Sequence, residues 1–236
     1  MRHQIAHVKN IKLLYQAGEA LRTRAPGVPG IGLLWGPTGY GKTTAAAWYA
    51  NQCNALYVRA VATWTPSSML GALMRELDAQ PFARCATMVE FIVERLALEN
   101  RPVFVDEADY LLSKKLLETL RDLHDLSSAP LILIGMGDFR RKVIHREQLA
   151  GRIAQWVEVR PADIEDARAL ADAVCELEIA DDLLQDLHRS TGGSMRGMTV
   201  GLDRIEALGR KLGKARMTTK DWGNREFTLS RPSGVA

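Results

Sequence analysis

Eight consecutive residues, Gly36-Pro37-Thr38-Gly39-Tyr40-Gly41-Lys42-Thr43, follow the spacing G-x-x-x-x-G-K-[ST]. Glycines at this spacing let the backbone bend until several N–H groups point at one anion, at the positive end of the helix that follows. Lys42 adds a point charge for the outer phosphates, and Thr43 offers a hydroxyl to a metal ion. Thr44, next in line, is grouped with the same phosphate-binding set. Tyr40 reads as a side chain the loop tolerates. A glycine-rich turn could match the pattern by chance, but a predicted strand before it and a predicted helix after it are what the chemistry requires.

A second constellation is Val103-Phe104-Val105-Asp106-Glu107-Ala108-Asp109, an apolar run that ends in acids. Carboxylates at the carboxyl end of a central strand lie beside a phosphate loop in open α/β sheets. Asp106 is then placed to hold magnesium, mostly through water, and Glu107 to orient the attacking water. Alone, these acids would be a solvated loop as readily as a site. Paired with the loop they imply ATP and Mg2+ as cofactors and hydrolysis as the reaction.

Five strands are expected to position these residues. Ile31 to Trp35 precedes the loop, Ala55 to Ala60 follows the helix that leaves the loop, Pro102 to Val105 carries the acids, and Leu131 to Ile134 and Trp156 to Val159 complete the set. Between them the spacing predicts helices over Gln4 to Arg24, Lys42 to Cys53, Thr65 to Asp78, Lys114 to Leu126 and, as helical turns, Asp138 to Ala150. Thr65 with Pro66 reads as a cap and first helical position. Thr87-Met88-Val89-Glu90 reads as a capping box that opens a helix to Glu99. Strands apolar throughout and alternating with helices mean a parallel five-stranded α/β sheet covered on both faces. After Pro161 the spacing gives three helices, over 163–176, 181–190 and 195–212, with no strand between them. The expected organisation is an N-terminal helix and linker (1–30), an α/β core (31–161), a helical lid (162–225) and a flexible tail (226–236).

A net charge of +3 and a pI near 8.8 are too mildly basic to indicate nucleic acid by themselves. Cys53, Cys85 and Cys175 form no metal spacing and read as reduced, mostly buried thiols of a cytoplasmic protein. The longest apolar stretch, Pro130 to Met136, is far short of the roughly 20 residues that span a bilayer. No signal peptide and no membrane partner are expected.

The order of strand, phosphate loop, strand, acidic strand, strand and helical lid resembles the AAA+ superfamily of P-loop NTPases. The resemblance implies a polar sensor at the end of the strand after the acidic one, where this chain has Met136, followed by Gly137 and Asp138. Gln148-Leu149-Ala150-Gly151-Arg152-Ile153 resembles the segment that carries an arginine for the neighbouring subunit's nucleotide. That assigns Arg152 to the role, with Arg146 as its competitor and a surface ion pair as the plain alternative. Gly192-Gly193-Ser194-Met195-Arg196-Gly197 resembles the start of the lid helix, which gives Arg196 to the γ-phosphate.

Over residues 4–225 the chain resembles, more narrowly, the target-selecting ATPases of DNA transposition of the phage Mu protein B type. The features that carry this are Leu33-Leu34-Trp35, Asp106-Glu107-Ala108-Asp109 and Gln148 to Ile153. With about 30 residues ahead of the core, no counterpart of the helix-turn-helix domain that precedes that ATPase is expected. The resemblance implies ATP-dependent binding to duplex DNA without sequence preference, self-assembly into helical oligomers or rings, and a transposase as partner in a bacterial host cytoplasm. DNA contacts are then expected from Lys114, Lys115, Thr63, Trp64, Arg140 and Arg141, and less directly from Lys142 and from Arg210, Lys211, Lys214 and Arg216. The plain alternatives are solvated helix faces for the charges and core packing for Trp64. A replication helicase-loader-like ATPase and a regulatory NTPase acting only on proteins are the competing functions.

Overall fold

The computed structural model describes residues 1–2, 4–112 and 115–228, which divide into two compact units. One comprises Leu13–Thr38 and Lys42–Val159. The other comprises Met1–Lys12, Gly39–Gly41 and the chain from Arg160 onward.

The first unit is built on five strands: β1 (Ile31–Trp35), β2 (Leu56–Arg59), β3 (Val103–Asp106), β4 (Leu131–Gly135) and β5 (Ile153–Glu158). They pair in parallel in the order β2-β3-β4-β1-β5. Parallel strands need crossover helices, so both faces are covered and the inner strands are apolar along their whole length. On one face Leu33, Val58, Val105 and Leu133 pack under α3 (Pro66–Glu76), α4 (Cys85–Glu99) and α5 (Leu116–Ser127). On the other, Phe104 meets Tyr49 of α2 (Lys42–Gln52) edge-on at 5.8 Å. Leu21 of α1 (Lys9–Arg22) lies so close over Gly32 that a Cβ there would sit 2.8 Å from its Cδ1. Chain order reverses between β1 and β4, so the loops leaving their carboxyl ends open a crevice.

Several boundaries differ from the sequence reading. The capping box at Thr87 does not form. Arg84 is the extended residue before α4, the helix begins at Cys85, and Thr87 lies inside it. The box that does form joins Thr65 and Ser68 at the start of α3. α1 starts at Lys9, not Gln4. β5 begins three residues earlier than expected, because as an edge strand it alternates buried and exposed side chains and lacks a continuous apolar run. Cys85 is exposed and only Cys175 is fully buried, so the thiols are not mostly buried.

Two short helices, α6 (Phe139–Ile144) and α7 (Glu147–Ala150), lie between β4 and β5 in the first unit. The second unit holds α8 (Ile164–Val174), α9 (Asp181–Thr191) and α10 (Met195–Lys211). Their shared core includes Ala167, Leu170, Leu183, Leu187, Met198, Leu202 and Ile205. The expectation of no strand between these helices is corrected. Glu178–Ile179 (β6) pairs in parallel with Arg216–Met217 (β7), a bridge too short to leave a periodicity in the sequence. Thr218 then caps a last turn, Thr219–Trp222. The N-terminus of α1 is fixed in this unit: Lys9 N donates to Asp166 Oδ1 at 2.8 Å, and its ammonium pairs with Asp163 and Glu165. Among the described residues no helix is long and apolar enough to cross a membrane.

Candidate nucleotide-binding and hydrolysis site

β1 delivers the chain to the phosphate loop at Gly36. Gly39 and Gly41 have φ of +90° and +87°, where a side chain would be strained, so the loop's path depends on glycine at both. Lys42 opens α2, and its Nζ donates to the carbonyls of Gly36 (2.7 Å) and Pro37 (2.8 Å). The ammonium is thereby held over its own loop, where phosphate oxygens would compete for it.

Thr43, the next residue of α2, donates from Oγ1 to Asp106 Oδ2 at 2.9 Å. That bond joins the two predicted metal residues. Asp106 ends β3 and is only 2% exposed. It accepts a second hydroxyl, from Tyr57, on Oδ2 at 2.9 Å and the Glu107 N–H on Oδ1 at 2.8 Å. A hydroxyl and a carboxylate are hard oxygen donors, and Mg2+ takes one or two such protein ligands and keeps several waters. The pair therefore fits that ion. Among the described residues no cluster of three or more His, Cys, Asp or Glu forms a protein-built metal cage.

Glu107 has φ of +54°, a left-handed conformation that costs a non-glycine residue on the order of 1 kcal/mol. Its Oε1 accepts from Arg59 Nη2 at 3.1 Å. Two residues on, Asp109 Oδ2 accepts the Met136 N–H at 2.7 Å, which ties the acidic run to the end of β4. Burial holds the Asp109 carboxyl above the usual carboxylate range, against the pull of that N–H.

A family model described as an AAA domain matches residues 27–143. These residues are an AAA-type P-loop ATPase domain. Three solved structures share its fold at low identity. Cdc6p from Pyrobaculum aerophilum aligns with a TM-score of 0.69 and 18% identity, over 93% of this chain and 67% of its own. The ORC2 protein of Aeropyrum pernix in its ADP form gives 0.67 and 16%, over 94% and 68%. The ORC1 protein of the same organism, in complex with DNA, gives 0.61 and 18%, over 90% and 62%. This chain thus spans about two thirds of those longer proteins. Curated proteins give no sequence match.

The remaining predicted residues of the ATPase are distributed as follows. Arg152 Nε contacts both oxygens of Asp125, at 2.7 and 2.8 Å, and its Nη1 donates to the Gln148 carbonyl. Arg146 donates to the Leu112 carbonyl. In the sensor position Met136 is exposed, and Asp138 is paired with Arg141. Lys115 is exposed ahead of α5, while Lys114 lies outside the described residues. Arg140 stacks over the Trp35 ring at 5.6 Å from its centroid. Thr63 is exposed, whereas Trp64 packs against the hydrophobic core. In the C-terminal basic cluster Arg210 pairs with Glu176 and Glu206, Lys214 with Asp221 and Arg216 with Glu178.

In the second unit, Gly39–Gly41 fold with the helices. Ser194 caps α10 by accepting from Gly197 N, and Arg196, its second residue, donates its backbone N–H to the Gly39 carbonyl at 3.0 Å. Buried Asn10 donates to the carbonyls of Arg160 (2.9 Å) and Tyr40 (3.4 Å).

Tyr57, Arg59 and Asn10 were not read as site residues from the sequence. For the first two, the available signal was a polar or amphipathic side chain at every second position of β2, a strand otherwise read as apolar; Asn10, on α1, carried no such signal.

Proposed function

We propose that the protein is an ATP-switched, sequence-nonspecific DNA-binding ATPase that assembles with copies of itself on duplex DNA and presents that DNA to a second machine. The observation that carries this reading is the Arg59–Glu107 ion pair. A catalytic glutamate engaged by a guanidinium is a restrained ATPase, and a restrained ATPase needs a trigger. Arg59 is 63% exposed, so an anion such as a DNA phosphate can compete for it.

In this reading Lys42 and the loop from Gly36 to Thr44 hold the phosphates, with Thr43 and Asp106 on Mg2+ and Glu107 on the attacking water. Arg196 contacts the γ-phosphate, and Arg152 serves the neighbouring subunit after leaving Asp125. Magnesium, when bound, neutralises charge on the transferring phosphoryl group. Lys114, Lys115, Arg140 and Arg141 contact DNA phosphates, with Thr63 beside them.

Two identities for the second machine have separate support. The resemblance in Leu33 to Trp35, Asp106 to Asp109 and Gln148 to Ile153 favours a transposase, with the protein selecting its target DNA. The fold shared with Cdc6p, ORC1 and ORC2 favours a replication initiator or helicase loader.

The test is binding to random-sequence duplex in ATP, ADP and no nucleotide, with particle size followed alongside. ATP-dependent binding with growth into large assemblies is expected. Lys42→Ala should lose that binding, and Glu107→Gln should prolong it. Nucleotide binding without DNA affinity in any state would replace this reading with a switch that acts on proteins alone.

A further inference from the structure

β2 meets the acidic strand side by side, and its register sets Tyr57 beside Phe104 and Arg59 beside Asp106. Residues two apart on a strand share a face, so Tyr57, Arg59, Phe104 and Asp106 all project to one side of the sheet. The Tyr57 ring stacks on Phe104, with centroids 6.4 Å apart and planes inclined by 22°. Phe104 is fully buried and is held in turn by Tyr49. The ring is therefore fixed before its hydroxyl is considered, and that hydroxyl lands 2.9 Å from Asp106 Oδ2.

The consequence is a matter of lone pairs. A carboxylate offers about four acceptor sites. On Asp106 the hydroxyls of Thr43 and Tyr57 share Oδ2, and the Glu107 N–H takes one site on Oδ1. With three of about four occupied, roughly one remains, and its direction is set by the other three. Thr43 would keep donating its proton to Asp106 while turning its oxygen lone pair to a cation. Tyr57, half-buried and stacked on Phe104, reaches the site through the carboxylate.

We propose that Tyr57 is a positioning residue for the metal: its hydroxyl fixes the plane of Asp106 so that the remaining lone pair meets the water shell of a magnesium ion bound with the nucleotide. The inference rests on the nucleotide site proposed above. Removing a hydrogen-bond partner of a direct metal ligand changes affinity by about 10- to 100-fold, and Tyr57, one water further out, belongs at the low end of that range.

Tyr57→Phe keeps the ring and its stacking and removes only the hydroxyl. The parent and this variant, each saturated with a non-hydrolysable ATP analogue, are titrated with Mn2+, and free ion is counted by its electron paramagnetic resonance. Analogue affinity in EDTA and thermal melting are measured beside it. The expected result is Mn2+ affinity about 10-fold weaker in Tyr57→Phe, with metal-free analogue affinity and melting unchanged. Equal Mn2+ affinity in the two proteins would overturn the proposal. So would an equal loss of analogue affinity in EDTA, because the hydroxyl would then support the loop and not the metal. A parent that binds no analogue, with or without Mn2+, removes the nucleotide site itself, and that result is distinct because it is read before the variant is compared.

Discussion

The Arg59 guanidinium donates to Glu107 across 3.1 Å, from the last residue of one strand to the first residue beyond its neighbour. The positive φ of Glu107 turns the chain off the line of β3 at that point. Asp106 and Glu107 are adjacent in sequence, yet β2 engages them separately, Tyr57 on the first and Arg59 on the second. The two contacts differ in kind. The hydroxyl bond ends on a carboxylate that is 2% exposed, whereas Arg59 is largely in solvent, and an exposed ion pair contributes only about 0.2–1 kcal/mol. One is built to stay, and the other can be broken by a modest competing interaction.

Replacing Arg59 with alanine should therefore release Glu107. Loss of roughly 0.2–1 kcal/mol of restraint corresponds to a rise in basal turnover of up to about fivefold. Phosphate release at saturating ATP without DNA measures it, and stimulation by added duplex should shrink in proportion. A basal rate equal to or below that of the parent would show that the pair does not restrain the glutamate.

Charge placement separates Lys115, proposed to touch DNA, from Lys214, which is already neutralised. Lys115→Glu should weaken binding to random duplex and reduce the slope of log K against log salt by about one contact's worth, near 0.9. Lys214→Glu should leave the slope as it is, because Lys214 is paired with Asp221. Fluorescence anisotropy between roughly 50 and 200 mM salt reads both. Equal slopes for Lys115→Glu and the parent would remove Lys115 from the interface.

What the sequence made legible is what depends on neighbours in sequence. The phosphate loop needs a strand, a glycine-rich turn and a helix in succession, and Gly36 to Thr43 supplies all three within a short stretch. The acids at the end of Val103–Asp106 were readable for the same reason. Tyr57 and Arg59 act through a register between strands about 45 residues apart, and no local pattern encodes that pairing. Their alternation on β2 marked one face as polar without saying what it met. The false capping box at Thr87 shows the converse. Its residue types were suitable, but Arg84 is the last extended residue and the helix begins at Cys85, before the threonine. β6 and β7 are two residues each, below the length at which any periodicity exists.

Arg152 is held by Asp125 within its own chain, so a role at the neighbour's nucleotide requires that pair to open. If it does serve in trans, Arg152→Ala should bind nucleotide normally and lose turnover by about 10³-fold or more. Mixing it with Lys42→Ala subunits, which keep Arg152 but lack a working loop, should restore activity above that of either variant alone. Turnover of Arg152→Ala at the parent's rate would reduce the residue to its ion pair with Asp125.

His124 sits on α5 below the sheet and links two strand ends: Nδ1 donates to the Ala129 carbonyl at 2.7 Å, and Nε2 accepts the Gly30 N–H at 3.4 Å. Only the neutral ring with its proton on Nδ1 can do both. Burial lowers its pKa, the Ala129 carbonyl opposes the shift, Arg24 and Arg152 reinforce it and Asp125 opposes it. The folded pKa therefore lies below the unfolded value of about 6.5. The stability this contributes is complete above about pH 6.5 and is lost as pH falls from there through the folded pKa, because the unfolded chain takes up the proton first. Thermal melting of the parent should fall between pH 7.5 and 5 more steeply than that of His124→Asn, whose side chain can donate and accept without titrating. The variant should be the less stable protein at pH 7.5 and close the gap toward pH 5. Parallel melting curves across that range would mean that the ring's protonation is not linked to folding.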